Sequence, residues 1–174
     1  MEPRARLPRA PRSLIREARP DEAEALAEIQ RDASVSAFGH IFPPERYPYP
    51  LDDVRGRWSD AVADPEITVL VAEVDGERAG VAGCRAEWLD GLYVRHQYWD
   101  HGVGRALHDE VLDRLRANGS PRCHLWVLED NDRARRFYER LGWRENGDTR
   151  IVPFPPNPID VGYTIELETT LATP

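Results

Sequence analysis

Cysteine is scarce in this 174-residue chain: Cys84 and Cys123 stand far apart, with no second Cys or His at metal-ligand spacing. That spacing argues against a zinc site, so no metal is expected, and it suits small core thiols in a reduced, cytoplasmic setting. No apolar run approaches the ~20 residues that a membrane span requires. Excess positive charge is missing too. A formal net charge of −8 has the wrong sign for a nucleic-acid or anionic-membrane surface and suits a cationic acceptor. Lysine is absent, so every basic side chain is arginine; no function follows from that alone.

What remains is the profile of one globular domain. A hydrophobic content of 41% is ordinary for a soluble protein, and this length buries a single core. Residues 1–12 hold arginines, alanines and Pro3, Pro8 and Pro11 without a continuous apolar stretch. They match no secretory signal and are expected to form a mobile tail, the prolines opposing an amphipathic presequence.

Along the rest of the chain, Ser13 to Ala18 reads as a strand, and Pro20-Asp21-Glu22 starts a helix carrying Ala25, Leu26, Ile29 and Ala33 at helical spacing. A proline-rich loop from Phe38 to Pro50 precedes a second helix from about Leu51 to Ala63, ended by Asp64-Pro65. Ile67–Val74 and Arg78–Arg85 form a hairpin around Asp75-Gly76, and a third strand runs from about Glu87 to Val94. After Gly102 a helix places Val103, Leu107, Val111 and Leu115 on one stripe and stops at Asn118-Gly119. Cys123–Leu128 is a buried strand, Asn131–Leu141 a helix closed by Gly142, and Val161–Leu167 a last strand.

The most informative segment is the joint between the third strand and its helix. Gly102 and Gly104 let a ligand approach the backbone, and the helix start offers unpaired N–H groups and a positive dipole end to an anion. A diphosphate fits that joint, with His101, Gly102, Val103, Gly104 and Arg105 as the cradle, Ala106 behind them and Trp99 and Asp100 leading in. A helix cap with no ligand is the alternative.

With a second segment, this joint resembles the GNAT superfamily of acetyl-CoA-dependent N-acetyltransferases. Val94, Gly102 and Gly104 match the first motif of that family, and Asn131, Ala134, Tyr138, Gly142 and Trp143 match the second. His96 replaces the usual proline and Trp99 the usual Gln or Arg. The resemblance implies a single α/β (α+β) domain over about residues 13–170. Its mixed, mostly antiparallel sheet of six to seven strands is splayed in the middle and flanked by about four helices.

The implied reaction is acetyl transfer from acetyl-CoA to a primary amine of a small molecule or peptide, by direct attack in a ternary complex. In the family the pantetheine arm bonds backbone groups around Leu92, Tyr93 and Val94. Asn131, a common helix cap in its own right, is implied to bond the same arm beside Ala134. Tyr138 is either a core aromatic or the acid that meets the departing sulfur. The usual base position falls on Trp88, so Asp90 and Glu87 are the candidate bases. Strict alternation puts Trp88, Asp90, Leu92 and Val94 on one face, and Glu87 needs a bulge to turn inward.

Phe38, His40 and Tyr47, together with Trp88, are the expected acceptor-site residues, against a lid without specificity. Arg133, Arg135 and Arg136 are the arginines placed to reach the adenosine phosphate, or else a solvated helix face. The substitution at position 88 keeps an acyl-CoA-binding sensor without turnover as the rival reading. A nicotinamide fingerprint fails because its third glycine would fall on Leu107. A serine-hydrolase elbow is missing. The acceptor and the oligomeric state stay open, homodimers being frequent among the proteins it resembles.

Overall fold

A computed structural model describes residues 13–167. The expected tail at 1–12, and residues 168–170 of the expected domain, lie outside the described residues. Seven strands and four helices follow in the order β1 (Ser13–Glu17), α1 (Ala23–Phe38), α2 (Leu51–Ala63), β2 (Thr68–Val74), β3 (Glu77–Arg85), β4 (Trp88–Val94), α3 (Val103–Ala117), β5 (Arg122–Leu128), α4 (Asp132–Arg140), β6 (Arg144–Ile151) and β7 (Ile159–Glu166). The strands form one sheet in the order β1-β2-β3-β4-β5-β7-β6. Every pairing is antiparallel except β4 with β5. No helix among the described residues is long and apolar enough to cross a membrane.

The two faces of the sheet carry separate cores, as the period-two alternation of β2 requires. Val69 and Val71 pack with Val81 under Leu26, Ile29, Val54 and Trp58 of α1 and α2. Leu70, Ala72 and Val74 face the other way, toward Leu107, Val111 and Leu115 on the apolar stripe of α3. Cys84 and Cys123 are free and buried in this second core. There Trp143 donates its indole N–H to His108 Nε2 at 2.9 Å. An indole nitrogen only donates, so Nε2 must accept, which leaves the proton on Nδ1, 2.8 Å from Asp109 Oδ1. Burial pushes the His108 pKa down, in keeping with a neutral ring.

One strand escaped the sequence pattern. β6 reads Arg-Glu-Asn-Gly-Asp-Thr-Arg-Ile and is exposed along its whole length. As the sheet edge it has no apolar face to reveal, and it pairs only with β7. The last strand accordingly starts at Ile159, two residues before the expected Val161.

A carboxylate fastens the start of α1 to the sheet. Glu22 is 2% exposed and accepts from Arg16 at 2.8 Å, Arg78 at 2.7 Å and the Arg19 backbone N–H at 2.8 Å. The Arg16 bonds, followed by those from Arg19 and Arg78, outweigh burial and hold its pKa well below the usual carboxylate range. A depressed folded pKa contributes stability above the ordinary carboxylate value, and that stability drains away as pH falls through this value toward the folded one. Glu22→Gln is expected to cost about 2 kcal/mol at neutral pH, less than a fully buried pair because the three arginines around it, Arg16, Arg19 and Arg78, are at least partly exposed. Denaturant titrations at neutral and acidic pH would show the loss shrinking in acid. A variant with an unchanged acid limb would refute this.

Candidate active site

β4 and β5 share a single register pair, Trp88 with His124, beside a bond from His124 N–H to Glu87 O at 2.7 Å. Beyond it the two parallel strands part. On its other side β4 is paired with β3, and the Arg95 N–H donates to Ala79 O at 2.9 Å. Since antiparallel strands alternate their bonding direction, Tyr93 and Arg95 serve β3 while the backbone groups of Leu92 and Val94 face the gap. The Trp99 indole donates to Val94 O at 2.7 Å.

A bulge breaks the expected alternation of β4. Gly83 pairs with Gly91 but Cys84 pairs with Leu89, leaving Asp90 as the extra residue. Leu89, Leu92 and Val94 consequently share the α3 face, and Tyr93 joins the α1/α2 core. Trp88 therefore lies on the face opposite to Leu92 and Val94, stacked on Trp126 at 6.1 Å and 16°. The expectation that Trp88 shares a face with Leu92 and Val94 fails for this reason.

At the mouth of the gap, Gly102 is the cap residue of α3 at φ 81°, a left-handed conformation that favours glycine. The first helical bond runs from Ala106 N–H to Gly102 O at 3.0 Å. The N–H groups of Val103, Gly104 and Arg105 thus have no helical partner, whereas that of Ala106 is already used. The Val103 side chain is buried in the core, and His101 Nδ1 lies 2.7 Å from Trp99 O.

A cavity of about 300 Å³ fills the gap and reaches both faces of the sheet. Its walls include Leu92, Tyr93 and Val94 of β4, Trp99, Asp100, Gly102, Gly104 and Arg105 of the turn, and Asn131, Ala134 and Tyr138 of the second motif. Asn131 is 8% exposed and caps α4 by accepting from the Ala134 N–H at 3.2 Å. Arg133 sits 4.3 Å over the Trp99 ring and bonds Asp100 at 3.0 Å, fastening the turn to α4.

Tyr138 packs edge-on to Phe137 at 5.2 Å and Trp143 at 5.6 Å. Its hydroxyl makes no hydrogen bond among the described residues, and burial pushes its pKa well up. The phenol therefore stays protonated at neutral pH.

The candidate bases and most of the acceptor residues lie outside this cavity wall. Asp90 is paired with Arg85 at 3.3 Å; burial raises its pKa against the pull of that arginine. Glu87 stands 3.8 Å from His124 Nε2. Of the acceptor loop, Phe38 lines the cavity. The His40 ring instead reaches Asp130 O at 3.0 Å, and Tyr47 meets Phe42 edge-on at 6.3 Å.

Five wall residues escaped the sequence reading: Ala33, Ala37, Tyr98, Phe137 and Arg140. Ala33 and Ala37 of α1 leave room over Tyr93, and their signal is two small residues one helical turn apart. Arg140 lines the cavity from the end of α4, two positions after Tyr138.

The sequence profile of the Acetyltransferase (GNAT) family matches residues 23–143, which span the helices over one face, the fork and both motifs. The chain belongs to the GNAT acetyltransferase family. It is 36% identical over 107 residues to mycothiol acetyltransferase of Beutenbergia cavernae, a match covering 58% of this chain and 36% of that protein. An uncharacterized N-acetyltransferase of Archaeoglobus fulgidus is 29% identical over 97 residues, 49% of this chain and 66% of that one. The matches thus span from about a third to two thirds of these relatives' lengths.

The fold recurs in solved structures. PaiA N-acetyltransferase from Thermoplasma acidophilum, crystallised with coenzyme A, superposes with a TM-score of 0.68 at 18% identity, over 87% of this chain and 98% of that one. The ribosomal-protein-S18-alanine N-acetyltransferase of Escherichia coli gives 0.70 at 17%, over 94% and 99%.

Proposed function

We propose that this GNAT protein transfers the acetyl group of acetyl-CoA to the primary amine of a small molecule or peptide, by direct attack in a ternary complex. The observation that carries the reading is the cavity itself. It meets unpaired N–H groups at one end and runs past Tyr138 to the Ala33, Ala37 and Phe38 side of the sheet. Cofactor and acceptor can therefore enter from opposite faces.

Bound acetyl-CoA supplies the activated thioester. The N–H groups of Val103, Gly104 and Arg105 bind the diphosphate, aided by the helix dipole. Backbone groups of Leu92 and Val94, with the Asn131 amide, align the pantetheine arm in the gap. Tyr138 Oη holds its proton toward the departing sulfur. A protonated alkylamine has a pKa near ~10, so a base must accept its proton. Asp90, whose burial moves it toward the working pH, and Glu87 are the two carboxylates at the fork that can take it through water. A cytoplasmic location and assembly as a homodimer belong to the same reading.

Release of free thiol from acetyl-CoA, measured across aminoglycosides, polyamines, amino acids and peptide N-termini, tests this. At least one class is expected to raise thiol release well above the amine-free background. Cofactor binding with no release for any amine would replace the enzyme by an acyl-CoA sensor.

A further inference from the structure

The arginines of α4 nearest to the second motif are already engaged. Arg133 bonds Asp100, Arg135 bonds Tyr163 Oη, Glu129 O and Glu145, and Arg136 pairs with Asp132 at 3.8 Å. Arg140 differs. Its side chain forms no ion pair or hydrogen bond among the described residues, and it lines both the cofactor cavity and a second, polar cavity of about 450 Å³ beside it.

Arg105 is the other side chain common to the basic walls of both. The second cavity also holds Arg116, Asp109, Asp113 and His108. Asp113 is held by Arg116 at 2.8 Å, and Asp109 by Arg105 at 3.4 Å and by the neutral His108 ring. With each carboxylate matched, the Arg140 guanidinium is the surplus charge at the junction of the two cavities.

We infer that Arg140, with Arg105 beside it, forms a phosphomonoester subsite that receives the 3′-phosphate of coenzyme A. This rests on the function proposed above. Coenzyme A carries two separate anionic units, a diphosphate and a phosphomonoester on the ribose. With the first on the start of α3, Arg105 and Arg140 are the cations beside it where the two cavities adjoin. A phosphomonoester bears nearly two negative charges and three acceptor oxygens, which a guanidinium fork matches in geometry. The local cluster also offsets the repulsion such an anion meets from a protein of net charge −8.

Calorimetric titration of the full chain with coenzyme A and with 3′-dephospho-coenzyme A tests the subsite. The wild type is expected to prefer coenzyme A by about tenfold or more, the usual return from a hydrogen bond to a charged group. Arg140→Ala should close that gap to within about twofold by weakening coenzyme A alone, whereas Arg136→Ala should leave it intact. Raised ionic strength should narrow the gap in the wild type. Equal wild-type affinities, or an Arg140→Ala variant that weakens both ligands alike, would overturn the subsite. A wild type silent to both ligands would overturn the cofactor reading itself, and the subsite with it.

Discussion

Tyr138→Phe is expected to lower kcat by about 10²-fold while changing the dissociation constant of coenzyme A by less than about twofold. The variant keeps the ring and its edge-on contacts with Phe137 and Trp143, so packing and melting temperature should hold. What it removes is one O–H that has no partner among the described residues, on a side chain that lines the cavity.

The size of the effect follows from the direction of the pKa shift. General acids typically contribute 10²–10⁴-fold, most when their pKa lies near the working pH. Burial drives the Tyr138 phenol away from that optimum, so it gives up its proton reluctantly and serves the sulfur largely as a strong hydrogen-bond donor. The low end of the range is therefore the figure to expect. Steady-state thiol release together with calorimetry separates the two quantities. A kcat within about twofold of wild type, or an affinity loss as large as the rate loss, would remove Tyr138 from the chemistry.

Gly104→Glu is expected to weaken coenzyme A binding by at least ~10²-fold with the fold intact. A Cβ at Gly104 meets only the Phe137 ring at 3.6 Å and Val94 at 3.7 Å, ordinary contact distances on the cavity wall. The position accepts a side chain sterically. Its carboxylate, however, would stand at the diphosphate site proposed above. Two unit charges about 4 Å apart in an effective dielectric of about 20 repel by about 4 kcal/mol, or roughly 10³ in affinity, and exposure to solvent at the mouth lowers that.

Gly102 offers a contrast, because space around its Cβ is open but its φ is 81°. There a substitution strains the backbone rather than blocking the ligand. Calorimetry and a thermal melt distinguish the two cases; unimpaired binding by Gly104→Glu would displace the diphosphate from the start of α3.

Elements with a buried face were legible in the sequence. The stripe of α3, the Asp75-Gly76 hairpin and the Asp64-Pro65 stop of α2 all stand where apolar period and turn chemistry put them. β6 was not legible, because an exposed edge strand has no reason to alternate. The chain's own start of α1 was blurred by a three-residue turn, Pro20–Glu22, that belongs to the Glu22 ion-pair cluster rather than to the helix.

The motif residues that line the cavity, Gly102, Asn131 and Tyr138 among them, were legible through the family resemblance; taken singly, Asn131 reads as a helix cap and Tyr138 as a core aromatic. The bulge at Asp90 was not, since it arises from a one-residue mismatch between β3 and β4 that neither strand displays alone. Nor was the difference among the arginines of α4. Asp132 stands one helical turn before Arg136 in the sequence, but whether Arg133 and Arg135 are engaged depends on where Asp100 and Glu145 lie in space, and that is settled by tertiary structure.

The meeting of β4 and β5 at one residue pair has a mechanical side. Four strands on one flank and three on the other behave as two panels hinged along a seam that is closed only at Trp88 and His124. In the function proposed above, a molecule lodged in the opening draws on backbone from the first panel and on Asn131 and Tyr138 from the second, and so acts as a rivet. Occupancy is then expected to stiffen the sheet, and slower amide hydrogen exchange in β4 and β5 with coenzyme A bound is the measurement that checks it.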